Sequence, residues 1–140
     1  MEKPENNKYV LDVYSIIFLV SLTIWHTFST AYGTITILGS ANNLQVFITI
    51  LFTIITLMFL MATFKIWKDQ SNIPAFNWFL RSFWLLSLAY SLFTTYLGNL
   101  KILSSDTGNP SQIVLVIGVT AFVSLNPILI SYFMNNKSIL

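Results

Sequence analysis

The sequence predicts an all-α membrane protein, a bundle of four transmembrane helices with N- and C-termini cytoplasmic. Three observations carry this. Charged residues are 9% of the 140 and hydrophobic residues 55%, whereas a soluble domain averages about 25% charged. So few charges cannot cover a water-facing surface. The charges also leave long gaps: none lies between Asp12 and Lys65, between Arg81 and Lys101, or between Asp106 and Lys137. A span needs roughly 20 apolar residues, so the first gap holds two spans and the others one each. Helix breakers stand where the divisions should fall.

The first span is placed at 13–32, after a cytoplasmic tail of residues 1–12. Gly33, Gly39, Asn42 and Asn43 interrupt the chain after it. A cleaved signal peptide competes for this segment, with Ser29 and Ala31 as the small residues. The apolar run is longer than a signal core, and Glu2 and Glu5 accompany Lys3 and Lys8 ahead of it. The second span is placed at 46–64, and Asp69, Asn72 and Pro74 follow it. The third runs over 77–97, with Arg81 near its entrance. Asp106, Gly108, Asn109 and Pro110 separate it from the fourth, at 113–134, and residues 135–140 form a second cytoplasmic tail.

Orientation follows from lysine and arginine near the helix ends. Lys3, Lys8, Lys65, Lys68, Arg81 and Lys137 fall on one side and only Lys101 on the other. The expected location is the plasma membrane, with an organelle membrane as the alternative. An acceptor sequence, Asn136-Lys137-Ser138, falls on the cytoplasmic side, where it is not glycosylated. Trp67, Phe76, Trp78, Phe79, Phe83 and Trp84 flank the middle loop, as aromatic residues do at an interface. An aromatic cage for a cationic ligand is the other reading of that cluster.

A shift of 65 residues matches the chain weakly to itself. Phe28, Ser29, Thr30 and Gly33 fall on Phe93, Thr94, Thr95 and Gly98, and Trp25 falls on Tyr90. Ile37-Leu38 falls on Ile102-Leu103, and after two inserted residues Gln45 meets Gln112 and Thr53 meets Thr120. Either a tandem duplication of a helical hairpin or chance similarity between apolar helices gives such a match. In a duplication, Gly33 and Gly98 are expected as helix C-caps, and the Ile-Leu pairs dip back to the membrane surface.

Each span gathers its polar residues on one side. His26 and Thr30 lie there on the first helix, Thr49, Thr53 and Thr56 on the second, and Ser91 and Thr94 on the third. In lipid, such residues hold helices together, because burying leucine between helices gains little. The same side chains are the candidates for a polar interior or a wet path. No GxxxG pair is present, so a tight glycine-mediated dimer is not expected. His26 is the one titratable group well inside a span, and Thr23, Thr27, Ser29 and Thr30 are its nearby hydroxyl partners. Its possible roles are a neutral packing residue, a proton-linked switch, or a haem ligand completed by another copy.

Arg81, Lys65 and Lys68 are candidate lipid headgroup contacts; for Arg81, snorkelling or pairing with Asp12 are the other fates. Asn126-Pro127 is a candidate kink, because the proline ring clashes with the carbonyl of Val123. Asn126 is expected to bond a freed carbonyl and to point away from the Thr120–Ser124 stripe.

Composition also excludes activities. With no cysteine and one histidine, disulfides, thiolate chemistry and an intrachain histidine metal site are ruled out. No cofactor is expected. No paired carboxylates, Ser-His-Asp set or phosphate loop is present, so an enzyme is not expected. The net charge of +2 gives nucleic acid nothing to bind. Small multidrug transporters share the size and helix number but depend on a membrane glutamate that this chain lacks. Two functions remain: an accessory or scaffold subunit that binds another membrane protein or its own copies, or a small channel, transporter or membrane-perturbing protein. Membrane lipids are partners in either case.

Overall fold

In the computed structural model the backbone is described for residues 5–39, 42–68, 74–103 and 109–136, and side chains for 13–39, 42–68, 74–103 and 109–135. Five helices follow in order: α1 (Glu5–Leu38), α2 (Asn43–Met61), α3 (Thr63–Lys68), α4 (Pro74–Leu103) and α5 (Pro110–Asn136). Three stretches, Val13–Leu38, Asn43–Met61 and Pro110–Asn135, are long and apolar enough to cross a membrane. The side chains of Lys3, Lys8, Asp12 and Lys137 and the loop residues Asp69, Asn72, Asp106 and Gly108 lie outside the described residues, as does most of the acceptor sequence.

The helices extend beyond the spans expected from hydropathy, because helix ends carry polar residues that hydropathy discounts. α1 begins inside the supposed tail and continues six residues past Tyr32, through Gly33, to Leu38. It ends where Gly39, at φ 71°, returns its N–H to the Ile35 carbonyl at 3.1 Å. Gly39 is therefore the left-handed residue after this helix. Gly33 and Gly98 are not caps, since both lie inside helices. Ile37-Leu38 and Ile102-Leu103 complete α1 and α4 rather than dipping back.

Capping explains the next start. Asn42 accepts from the Gln45 N–H at 2.8 Å and donates its own N–H to the Gln45 side chain at 3.1 Å. These two bonds form a reciprocal capping box. The expected second span divides in two. α2 stops at Met61, Ala62 (φ −82°, ψ 4°) leaves the helix, and α3 restarts at Thr63. At α5, Pro110 occupies the first turn, where its missing N–H is tolerated. Pro127 lies within α5 without ending it.

The interior inverts the usual order of a soluble protein. Among the described residues the buried apolar side chains are Leu60, Trp84, Val116, Val123 and Pro127, against sixteen buried polar ones. The large exposed side chains are mostly leucine, isoleucine, valine and phenylalanine, with tyrosine, tryptophan and methionine among them.

The most extensive contact joins α1 and α4. Residues 26 and 91, 30 and 95, and 33 and 98 meet at a constant offset of 65, so the two helices run in the same direction. α2 and α5 flank this pair, and each touches both members and the other. The burial pattern repeats as well. Residues 26, 29, 30, 33 and 34 are buried, and so are 91, 94, 95, 98 and 99. On the outer helices 49, 53, 56 and 60 match 116, 120, 123 and 127.

Candidate functional site

The polar centre is built on the α1–α4 crossing. A Cβ added to Gly33 would stand 1.8 Å from the Thr94 carbonyl oxygen, and one added to Gly98 would stand 1.9 Å from the Ser29 carbonyl oxygen. Each helix thus sets a glycine against the backbone of the other, and a shift of 65 residues exchanges the two contacts. The absence of GxxxG does not prevent a tight approach. Ser29-x-x-x-Gly33 and Thr94-x-x-x-Gly98 supply one glycine per helix and a small residue four positions before it.

Hydrogen bonds follow the same symmetry. The hydroxyls of Thr30 and Thr95 meet at 2.8 Å. Trp25 donates its indole N–H to the Asn99 side-chain oxygen at 3.0 Å. At the exchanged position, the Tyr90 and Thr34 hydroxyls bond at 2.7 Å. Asn99 also donates to Thr120 on α5 at 3.1 Å, so one amide links three helices. The sequence reading singled out neither Asn99 nor the Trp25 and Tyr90 contacts. The signal was the 65-residue match, which pairs Trp25 with Tyr90 and Thr34 with Asn99.

His26 is 1% exposed, and its Nε2 lies 3.3 Å from the Ser91 hydroxyl on α4. The expected partners on its own helix are occupied. Thr23, Thr27 and Ser29 return their hydroxyls to the carbonyls of Leu19, Thr23 and Trp25, as such residues do in lipid-buried helices. Thr94 bonds the Tyr90 carbonyl likewise, at 2.8 Å. Thr49, Thr53 and Thr56 are all buried on α2. The crossing thus brings together His26, Thr30, Ser91 and Thr94, while the three α2 threonines face inward from the flank.

Asn126 lies off the Thr120–Ser124 stripe, which faces α4 through Thr120, and turns to α1 rather than to a carbonyl freed at Pro127. It is fully buried and donates to the Leu19 carbonyl at 3.1 Å and the Thr23 hydroxyl at 2.8 Å. Its amide ties α5 to α1, and that tertiary contact takes precedence over local repair at Pro127. Six buried polar atoms have no hydrogen-bond partner among the described residues: His26 Nδ1, Thr49 Oγ1, Thr53 Oγ1, Arg81 Nε, Ser124 Oγ and Asn126 Oδ1.

A second cluster lies where α3 and the start of α4 meet. The Arg81 guanidinium sits 5.0 Å from the centre of the Trp67 ring. Trp67 packs edge-on against Trp84 at 5.5 Å. Trp84 donates to the Thr63 hydroxyl at 2.8 Å, and that hydroxyl in turn bonds the Leu60 carbonyl. The cation over the aromatic cluster is the protein's own arginine. Lys68 lies over the Phe64 ring at 4.7 Å, while Lys65 is exposed. Among the described residues no group of three or more metal-ligating side chains occurs. No family model, curated protein or solved structure matches the chain.

Proposed function

We propose that the chain is a four-span membrane bundle, a tandem duplication of a helical hairpin, acting as an accessory or scaffold subunit of a membrane complex or homo-oligomer and not as an enzyme. α4, which covers the third expected span, crosses the membrane together with α1, α2 and α5. Both termini and the middle loop face the cytoplasm, as the lysine and arginine count favours. The observation that carries this reading is the inverted interior, with buried polar residues bonded helix to helix and apolar side chains outward. That surface suits lipid and the spans of a partner. The α1–α4 crossing supports a static role, because two backbone-to-glycine contacts leave no passage between these helices. The duplication is supported by the exchange of Trp25–Asn99 for Tyr90–Thr34.

Native mass spectrometry after gentle extraction from the source membrane tests the role. The expected result is an assembly of defined stoichiometry, with a second membrane protein or with further copies. A stable, partner-free monomer in mild detergent overturns it.

One observation favours the second reading, a small channel or carrier. Five of the six unpartnered buried atoms, all but Arg81 Nε, lie on α1, α2 and α5, and buried polar groups normally find a partner or an ordered water. If water reaches them through an oligomer, vesicles carrying the protein should pass small solutes, and His26→Leu or Thr53→Leu should change the rate several-fold. Flux no greater than through empty vesicles removes this reading.

A further inference from the structure

We propose that the groove between the α2–α3 junction and α5 binds one anionic phospholipid, with its acyl chain against methionines and its phosphate at Lys65. The proposal rests on the membrane-bundle reading above. The groove exists because the second expected span is broken. Ala62 leaves the helix after Met61, and the freed Phe64 N–H is taken by the Ser131 hydroxyl of α5 at 2.9 Å. This pins α3 to α5 and opens a cleft of about 480 Å³ between the α2 terminus and the last turns of α5. Ligand sites commonly span about 300–1,000 Å³. A helix, about 10 Å across with its side chains, is a poorer match to a cleft of this size than a single acyl chain.

The lining combines apolar and polar side chains. Met58, Met61, Phe64 and Met134 supply apolar surface, and Lys65, Ser131 and Asn135 supply polar groups. Methionine is unbranched and polarisable, so it conforms to a mobile chain. Lys65 is exposed, so its ammonium is open to a headgroup. Lys68 and Arg81 raise the local positive potential while lying over aromatic rings. A phosphate with net negative charge satisfies Lys65, whereas a zwitterionic headgroup brings a cation with it. The aromatic residues Trp67, Trp84 and Tyr132 surround the junction, which sets it at headgroup depth. Two further grooves, between α1 and α5, have no described basic residue in their walls.

The test is native mass spectrometry of the full chain, purified in mild detergent and titrated with dioleoylphosphatidylglycerol or dioleoylphosphatidylcholine. One phosphatidylglycerol per chain should be retained, at least about fivefold more strongly than phosphatidylcholine. Lys65→Gln should abolish that preference, while Lys101→Gln at the opposite end should leave it intact. Met134→Trp, which fills the groove from an exposed position, should weaken retention of both lipids. Equal retention of the two lipids, or an unchanged preference in Lys65→Gln, overturns the proposal. A chain dimer that persists without lipid and is weakened by Met134→Trp also overturns it, since the groove then holds a second copy. Failure of the chain to enter lipid bilayers at all would instead remove the membrane-bundle reading itself.

Discussion

Gly33→Ala and Gly98→Ala should each destabilise the bundle by about 3 kcal/mol, the upper end for overpacking a tight contact. The reason is that the obstacle is backbone. The new methyl would lie 1.8 Å from the Thr94 carbonyl oxygen in the first case and 1.9 Å from that of Ser29 in the second. Neither oxygen can turn away, because each belongs to a helix. Relief requires α1 and α4 to separate, and separation breaks the Thr30–Thr95 and His26–Ser91 contacts as well. The two penalties should be similar, since a shift of 65 residues exchanges the two sites. The double variant should lose less than the sum, because one separation relieves both clashes. Gly118→Ala is the control. Nothing lies within 4 Å of a Cβ there, so stability should stay within about 0.5 kcal/mol or rise. Reversible unfolding in mixed micelles measures all four variants. Wild-type stability in Gly33→Ala would mean that the helices do not cross at this glycine.

The helical class, the apolar segments and the inward polar faces were legible because hydropathy and a period of 3.6 residues report them directly. Helix ends were not, since Gly33 and Gly98 read locally as breakers. Only the facing helix explains why a glycine stands in mid-helix. The contact had a visible trace in Ser29-x-x-x-Gly33 and Thr94-x-x-x-Gly98, but a search for two glycines on one helix passes over a pair that supplies one each. The partner of Asn126 was missed for a related reason. Local chemistry offered it a carbonyl near Pro127, and the fold gave it Leu19 and Thr23 of α1, 107 and 103 residues away. His26 likewise has hydroxyls on its own helix and meets Ser91 instead. The repeat was the one long-range signal in the sequence, and it links the two halves of the crossing. The α3 turn was not legible, because the break at Ala62 depends on Ser131 receiving the Phe64 N–H.

Asn99→Leu should destabilise by about 2 kcal/mol, and Asn126→Leu by no more than about 1 kcal/mol, although each asparagine makes two interhelical hydrogen bonds. The difference lies in what each leaves behind. Without Asn126, the Thr23 hydroxyl keeps its bond to the Leu19 carbonyl at 2.8 Å, and that carbonyl keeps a partner. Without Asn99, Thr120 can turn to a carbonyl of its own helix, but the Trp25 indole N–H has no second acceptor among the described bonds. A donor stranded against hydrocarbon is the costly case. Trp25→Phe placed in the Asn99→Leu background should therefore recover about 1 kcal/mol, since it removes the stranded donor. Tyr90→Phe at the exchanged position should lose less than about 1 kcal/mol, because Thr34 remains bonded to the Thr30 carbonyl at 2.8 Å. A double-mutant cycle over Trp25 and Asn99 measures the coupling. A cycle that closes to zero would mean that the indole finds another partner, and that the symmetry of the two aromatic contacts contributes nothing to stability.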